Sequence, residues 1–119
     1  MEKRYVLLVK KGELYKVLVD SIVSIEQDLR KAKIYTEEGM YCVNAKIEMF
    51  KRHLSENFFA CHRSCIINMN KVKKMQAQTV YFENGYTVSM GRDKFQNAMR
   101  HFKHYIRKTT DNQFPKKMK

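Results

Sequence analysis

The sequence predicts a mostly-β fold, α+β by content, with one short helix and one amphipathic helix on the C-terminal side. Short runs of β-branched and aromatic residues, broken by Gly, Asn, Asp and Glu, recur from Tyr5 to Val88. Asn84-Gly85 stands between two such runs, a strong hairpin signal. From Arg92 onward the apolar spacing changes to three and four, the period of a helix.

Taken in order, Tyr5 to Val9 and Leu14 to Val19 flank the turn-like Lys10-Lys11-Gly12-Glu13 and read as a hairpin. Ile22 to Glu26, Lys33 to Thr36 and Met40 to Val43 read as three more strands, separated by the polar stretch Gln27 to Lys31 and the turn Glu37-Glu38-Gly39. Asn44 is placed to cap a short helix with apolar positions Ile47, Phe50 and Leu54, and Glu48 and Arg52 fall at i and i+4 on its outer side. Phe58 to His62 and Ser64 to Ile67 read as buried strand, and Asn68-Met69-Asn70 as a turn into the basic segment Lys71 to Met75. Thr79 to Phe82 and Tyr86 to Val88 form the late hairpin. Phe95, Ala98, Met99, Phe102, Tyr105 and Ile106 then mark one stripe of a helix over Arg92 to Lys108, whose opposite face is cationic.

One domain is expected over residues 1–108, followed by a basic flexible tail over 109–119. At 44% hydrophobic residues the chain has enough apolar surface to order a core, which argues against global disorder. The charge is lopsided: 24 Lys and Arg against 12 Asp and Glu give a formal net charge of +12. Such an excess repels itself unless a polyanion neutralises it, so nucleic acid or an anionic membrane surface is the expected partner, with charge that serves only solubility as the plainer alternative. No apolar stretch is long enough to span a membrane and the N-terminus does not read as a signal peptide, so a cytoplasmic location is expected. Three cysteines, Cys42, Cys61 and Cys65, suit reduced thiols there rather than a disulfide framework.

Catalysis finds no support. Cys61 and His62 are neighbours in a strand, and successive strand side chains point to opposite faces, so they are not expected to work as nucleophile and base. No metal site is expected either: four residues of strand would hold Cys61 and Cys65 roughly 13 Å apart, and His101 and His104, although spaced i and i+3, lack further ligands. Neither the sequence nor this spacing decides whether Cys61 or Cys65 is redox-active or only a small buried side chain.

The stretch Phe58-Phe59-Ala60-Cys61-His62-Arg63-Ser64-Cys65-Ile66-Ile67-Asn68-Met69-Asn70-Lys71-Val72 resembles the signature of the LytTR family of bacterial DNA-binding domains. An aromatic pair, a His-Arg-Ser triplet and an aliphatic strand ending in Asn carry the resemblance. It continues through Val80 to Gly85, similar to that family's late hairpin, and through Val88-Ser89-Met90-Gly91-Arg92, similar to its Val-Ser-Arg element. Two positions depart from the pattern: Met90-Gly91 separates Ser89 from Arg92, and Cys65 replaces the usual aromatic.

The resemblance implies small antiparallel sheets stacked along one axis, with loops entering the grooves of double-stranded DNA. It places groove-reading residues at about Leu29 to Lys33, at Arg63 and at Arg92. The guanidinium groups of Arg63 and Arg92 suit base edges, the first in the minor groove and the second in the major groove. Lys31 and Lys33 are base-reading candidates as well, with phosphate contact or a solvated turn as open alternatives. Arg30, His62, Ser64, Lys71, Lys73, Ser89 and Lys94 are phosphate candidates; His62 is equally suited to holding a backbone group, and Lys71, Lys73 and neighbouring Lys74 to forming a solvated face.

The expected function is sequence-specific regulation of transcription at repeats in bacterial promoters, without a cofactor and with a homodimer as one means of reading two repeats. The segment leaves no room for the receiver or membrane sensor usual in that family, so regulation is expected from abundance, a ligand or a separate regulatory protein. Two other readings stand beside it. In a β-sheet RNA-binding module, Tyr35, Tyr41, Tyr81 and Tyr86 would stack on bases; in a protein-interaction module, the basic face would dock on an acidic partner.

Overall fold

Alternation sets the first layer. In the computed structural model, which describes residues 3–109 and 118, β1 (Tyr5–Lys10) buries Val6 and Leu8 and turns Tyr5, Leu7 and Val9 outward. It pairs with β2 (Glu13–Leu18), with Val6 opposite Val17. Gly12, at φ +80°, lets this hairpin close in a left-handed conformation.

The second layer is a five-stranded antiparallel sheet. It contains β3 (Ile22–Asp28), β4 (Lys31–Thr36), β5 (Gly39–Asn44), β6 (Phe58–His62) and β7 (Cys65–Asn68), in the order β5-β4-β3-β7-β6. Both faces of this sheet are covered, which is why its central strand β3 reads Ile-Val-Ser-Ile with no clean alternation. On one face Ile22, Ile25, Ala32, Ile34 and Ile66 pack against Val6, Leu8 and Val17 of the first hairpin and against Ile47 and Phe50. On the other, Val23, Cys65 and Ile67 meet the third layer.

That third layer is β8 (Val72–Gln76), β9 (Thr79–Phe82) and β10 (Thr87–Ser89), which contributes Val72, Val80, Phe82 and Val88 to the second core. Three small antiparallel sheets are thus stacked along one axis, and the molecule is elongated, 53 × 35 × 24 Å. The expected mostly-β architecture stands.

The short helix differs in detail from its expectation. Here α1 is a single turn, Glu48–Lys51, and Asn44 is the last residue of β5, opposite Lys31, rather than a cap. Gln27, twenty residues upstream, does the capping: its Oε1 accepts the Ile47 N–H at 2.6 Å. Glu48 pairs with Lys51 at 3.1 Å, not with Arg52, which lies past the end of the single helical turn. The late hairpin closes through a longer loop, Glu83 to Tyr86, in which only Gly85 takes a positive φ.

The C-terminal helix α2 (Arg92–Thr109) packs on β6, burying Phe95 and Ala98 and stacking His101 on the Phe59 ring at 4.0 Å. Among the described residues no helix is long and apolar enough to cross a membrane. The expected tail lies outside the described residues except for Thr109 and Met118.

Candidate nucleic-acid interface

The β3–β4 turn is two residues, Leu29 and Arg30, with Leu29 at φ 58° and 92% exposed. A leucine held left-handed and in water is doubly unfavourable, so the turn is fixed by something else. Gln27 supplies it. Its amide nitrogen lies 3.0 Å from the Leu29 carbonyl, 3.1 Å from that of Lys31 and 3.2 Å from that of Ala45. One side chain therefore holds the turn and, through Ile47, the start of α1. Arg30 and Lys31 stand exposed at this end. Lys33 does not: its Nζ is 3.3 Å from Asp28 Oδ2, and that contact pushes its pKa above the ordinary lysine value. Base reading by Lys33 would have to break this pair. Lys46, which the sequence reading passed over, is exposed close to the same end, two residues after Asn44 pairs with Lys31.

The β6–β7 turn is Arg63-Ser64, with His62 paired to Cys65 across it. Arg63 is exposed at its tip. The Ser64 carbonyl accepts the Gln27 N–H at 2.8 Å, which sets this turn beside the β3–β4 turn. His62 braces the loop from inside: its Nδ1 accepts the Ser64 N–H at 3.1 Å. Burial, then the charge of Lys94, holds the His62 pKa below the ordinary histidine value, which suits a neutral acceptor. Of its two expected roles, the backbone-holding one is what the geometry contains.

The third element is the junction of β10 with α2. Gln78 O accepts the Met90 N–H at 3.0 Å, and Ser89 Oγ lies 3.1 Å from Thr79 Oγ1, so the tight β8–β9 turn fixes the approach to Arg92. Arg92 opens the helix, exposed, and Lys94 sits in its first turn, close enough to His62 to act on its titration. The unpaired N–H groups of that turn favour an anion in the same place. Arg63, Arg92, Arg30 and Lys31 are thus carried on three adjoining connections.

The family model of the LytTr DNA-binding domain matches residues 12–103. The chain belongs to the LytTR family. A solved LytTr DNA-binding domain from Bacillus cereus is 22% identical, covers 85% of this chain and 97% of its own, and superposes with a TM-score of 0.68, which shows a shared fold. Among curated proteins none matches. A LytTR domain is a DNA-binding module of transcription regulation rather than a catalytic one, and this chain is a DNA-binding regulatory domain.

Three lysines of this LytTR domain stand apart from the adjoining turns. Lys71 is ion-paired with Glu37, which follows β4 at the end opposite the Leu29-Arg30 turn. Lys73 is exposed at the irregular start of β8, and Lys74 lies over the Tyr81 ring at 4.7 Å. The tyrosines an RNA-binding sheet would present do not share a face: Tyr35 and Tyr86 stack on each other at 4.5 Å between layers, Tyr41 packs with Tyr15, and Tyr81 faces Lys74.

The expected separation of Cys61 from Cys65 is overturned. The chain reverses at Arg63-Ser64 instead of running on as one strand, and β6 is irregular between Ala60 and His62. The ligand atoms of Cys61, His62 and Cys65 all lie within 4.8 Å of one another, and Cys61 Sγ is 3.4 Å from the Cys65 carbonyl. The opposite-face argument fails for the same reason: a bulge re-aims the Cys61 side chain.

Proposed function

We propose that this LytTR domain binds double-stranded DNA sequence-specifically, recognises repeats in bacterial promoters and so regulates transcription. The observation that carries it is the Gln27 N–H to Ser64 carbonyl bond, which joins two cationic turns into one unit beside the α2 terminus. Arg63 and Arg92 read bases, with Lys31 the next candidate; Arg30, Ser64, Ser89 and Lys94 contact phosphate. Residues 1–108 act as one domain in the cytoplasm, catalyse nothing, and bind as two copies on repeated sites, where linkage raises affinity.

Selection from a randomised duplex pool tests this. A short repeated motif is expected, with Arg63→Ala and Arg92→Ala each losing roughly 1–3 kcal/mol of discrimination at its own base positions. A pool that stays random, with one salt dependence for every duplex, ends the sequence-specific reading; preference for single-stranded RNA, or for an acidic protein surface, would replace it.

A further inference from the structure

Buried cysteines usually do no more than fill space, and Cys42, half-buried and alone on β5, is of that kind. Cys61 and Cys65 differ because a third soft donor stands with them. Cys61 is 6% and Cys65 2% exposed, His62 is partly exposed, and one ligand atom from each lies within 4.8 Å of the other two. Tetrahedral zinc bonded to two sulfurs and one imidazole nitrogen sets its donors about 3.5–3.8 Å apart, so closing on an ion needs shifts of about an ångström.

We propose that Cys61, His62 and Cys65 bind one thiophilic divalent cation, zinc(II) by chemistry, at the base of the turn that carries Arg63. Binding replaces two thiol protons by two Zn–S bonds and releases both protons to solvent, with no change of oxidation state. Glu26 stands directly opposite Cys65 in the β3–β7 register but outside the three-donor cluster, so the fourth position is left to a solvent ligand. The Tyr86 hydroxyl donates to Glu26 Oε2, so the carboxylate is already oriented on the face where Cys65 lies. A cation bound here sets positive charge beside both sulfurs, which the low-dielectric surroundings of two buried cysteines otherwise lack. His62 and Cys65 flank Arg63-Ser64, so loading exchanges the Ser64 N–H to His62 Nδ1 bond, which is given up whichever ring nitrogen ligates, for metal bonds at both ends of the turn.

The metal site stands on its own geometry; its effect on DNA affinity rests on the DNA-binding reading. The full chain, reduced and freed of metal with a chelator, is titrated with cobalt(II) chloride and then zinc chloride. One ion per chain is expected, with the visible bands of tetrahedral, thiolate-bound cobalt, displaced by zinc. Zinc uptake by the unaltered chain should release about two protons per ion, a readout that needs no variant to fold. Cys61→Ser, Cys65→Ser and His62→Gln each weaken uptake by at least about tenfold, whereas Cys42→Ser leaves it unchanged. A reduced chain that shows no such bands, or uptake abolished by Cys42→Ser alone, overturns the site. Duplex selection repeated on metal-free chain keeps the two readings apart: uptake of one ion without DNA binding overturns the DNA reading only, and DNA binding without uptake overturns the metal site only.

Discussion

Asn68 is the most connected fully buried polar side chain among the described residues. Its Nδ2 donates to the Ile22 carbonyl at 2.7 Å, and its Oδ1 accepts from Asn57 Nδ2 at 2.6 Å and from the Asn70 N–H at 2.9 Å. It is fully buried, so the Ile22 carbonyl and the Asn57 amide orphaned by Asn68→Ala are left without water, while the Asn70 N–H is only partly buried. The expected loss is about 2–4 kcal/mol, read as a lower midpoint in urea unfolding; a change below about 0.5 kcal/mol would mean the network is not holding β3 to β7. Asn68 is expected in a turn but ends strand β7, with the turn beginning at Met69, and its network is not legible in the sequence because two of its partners lie 46 and 11 residues away. Ala77 shows the opposite case. With Gln78 it forms the β8–β9 turn at positive φ, 49° and 62°. A left-handed residue with a Cβ costs roughly 1–2 kcal/mol, and the added chain freedom of glycine returns roughly half to one of that. Ala77→Gly should therefore stabilise by about 0.5 kcal/mol, seen as a raised unfolding midpoint, and a lowered one would show that the turn is not strained.

At the scale of elements, strands were legible wherever burial alternates or a glycine marks the turn. The two connections that matter most at the interface carry neither sign: Leu29-Arg30 and Arg63-Ser64 contain no Gly, Asn or Pro, so nothing local announces a reversal. Reading through the second of these is what placed Cys61 and Cys65 far apart. The first turn is held instead by local side-chain bonds from Gln27 and the second by the long-range Gln27 N–H to Ser64 carbonyl bond, neither of which turn-residue propensity reports. The start of α1 follows the same rule, since Ile47 is capped from β3 rather than by Asn44. Gln27→Ala removes four side-chain hydrogen bonds at once. Their carbonyls can turn to water at this partly exposed site, so the expected cost is only about 1–2 kcal/mol. The sharper effect is local: amide exchange at Ile47 should speed up well beyond the global change in stability, while the buried β7 amide of Ile67 follows that global change. Equal acceleration at both positions would mean that Gln27 braces the whole sheet rather than these connections.

For the whole molecule, the excess of positive charge was readable from composition, but its distribution was not. Which end of the stack a lysine reaches depends on strand direction and order. Lys71 was grouped with the phosphate candidates, yet the reversal at Leu29-Arg30 sends Glu37, and Lys71 with it, to the far end. Arg30 and Lys94 arrive at the near end instead. This separation makes the salt dependence of DNA binding a test of geometry as well as charge. Each phosphate contact releases condensed counterions from duplex DNA and adds about 0.9 to the slope of log affinity against log salt. Lys94→Ala and Arg30→Ala should each lower that slope by about 0.9 and weaken every duplex alike, because neither group reads a base. Lys71→Ala removes the same formal charge but, beyond a Debye length of about 10 Å at 0.1 M salt, should leave slope and affinity nearly unchanged. Mere non-specific attraction to a basic protein would give all three substitutions the same effect. Titrating salt on one selected duplex with the three variants separates the two cases, and a full unit lost with Lys71→Ala would mean that DNA lies across the other end of the stack.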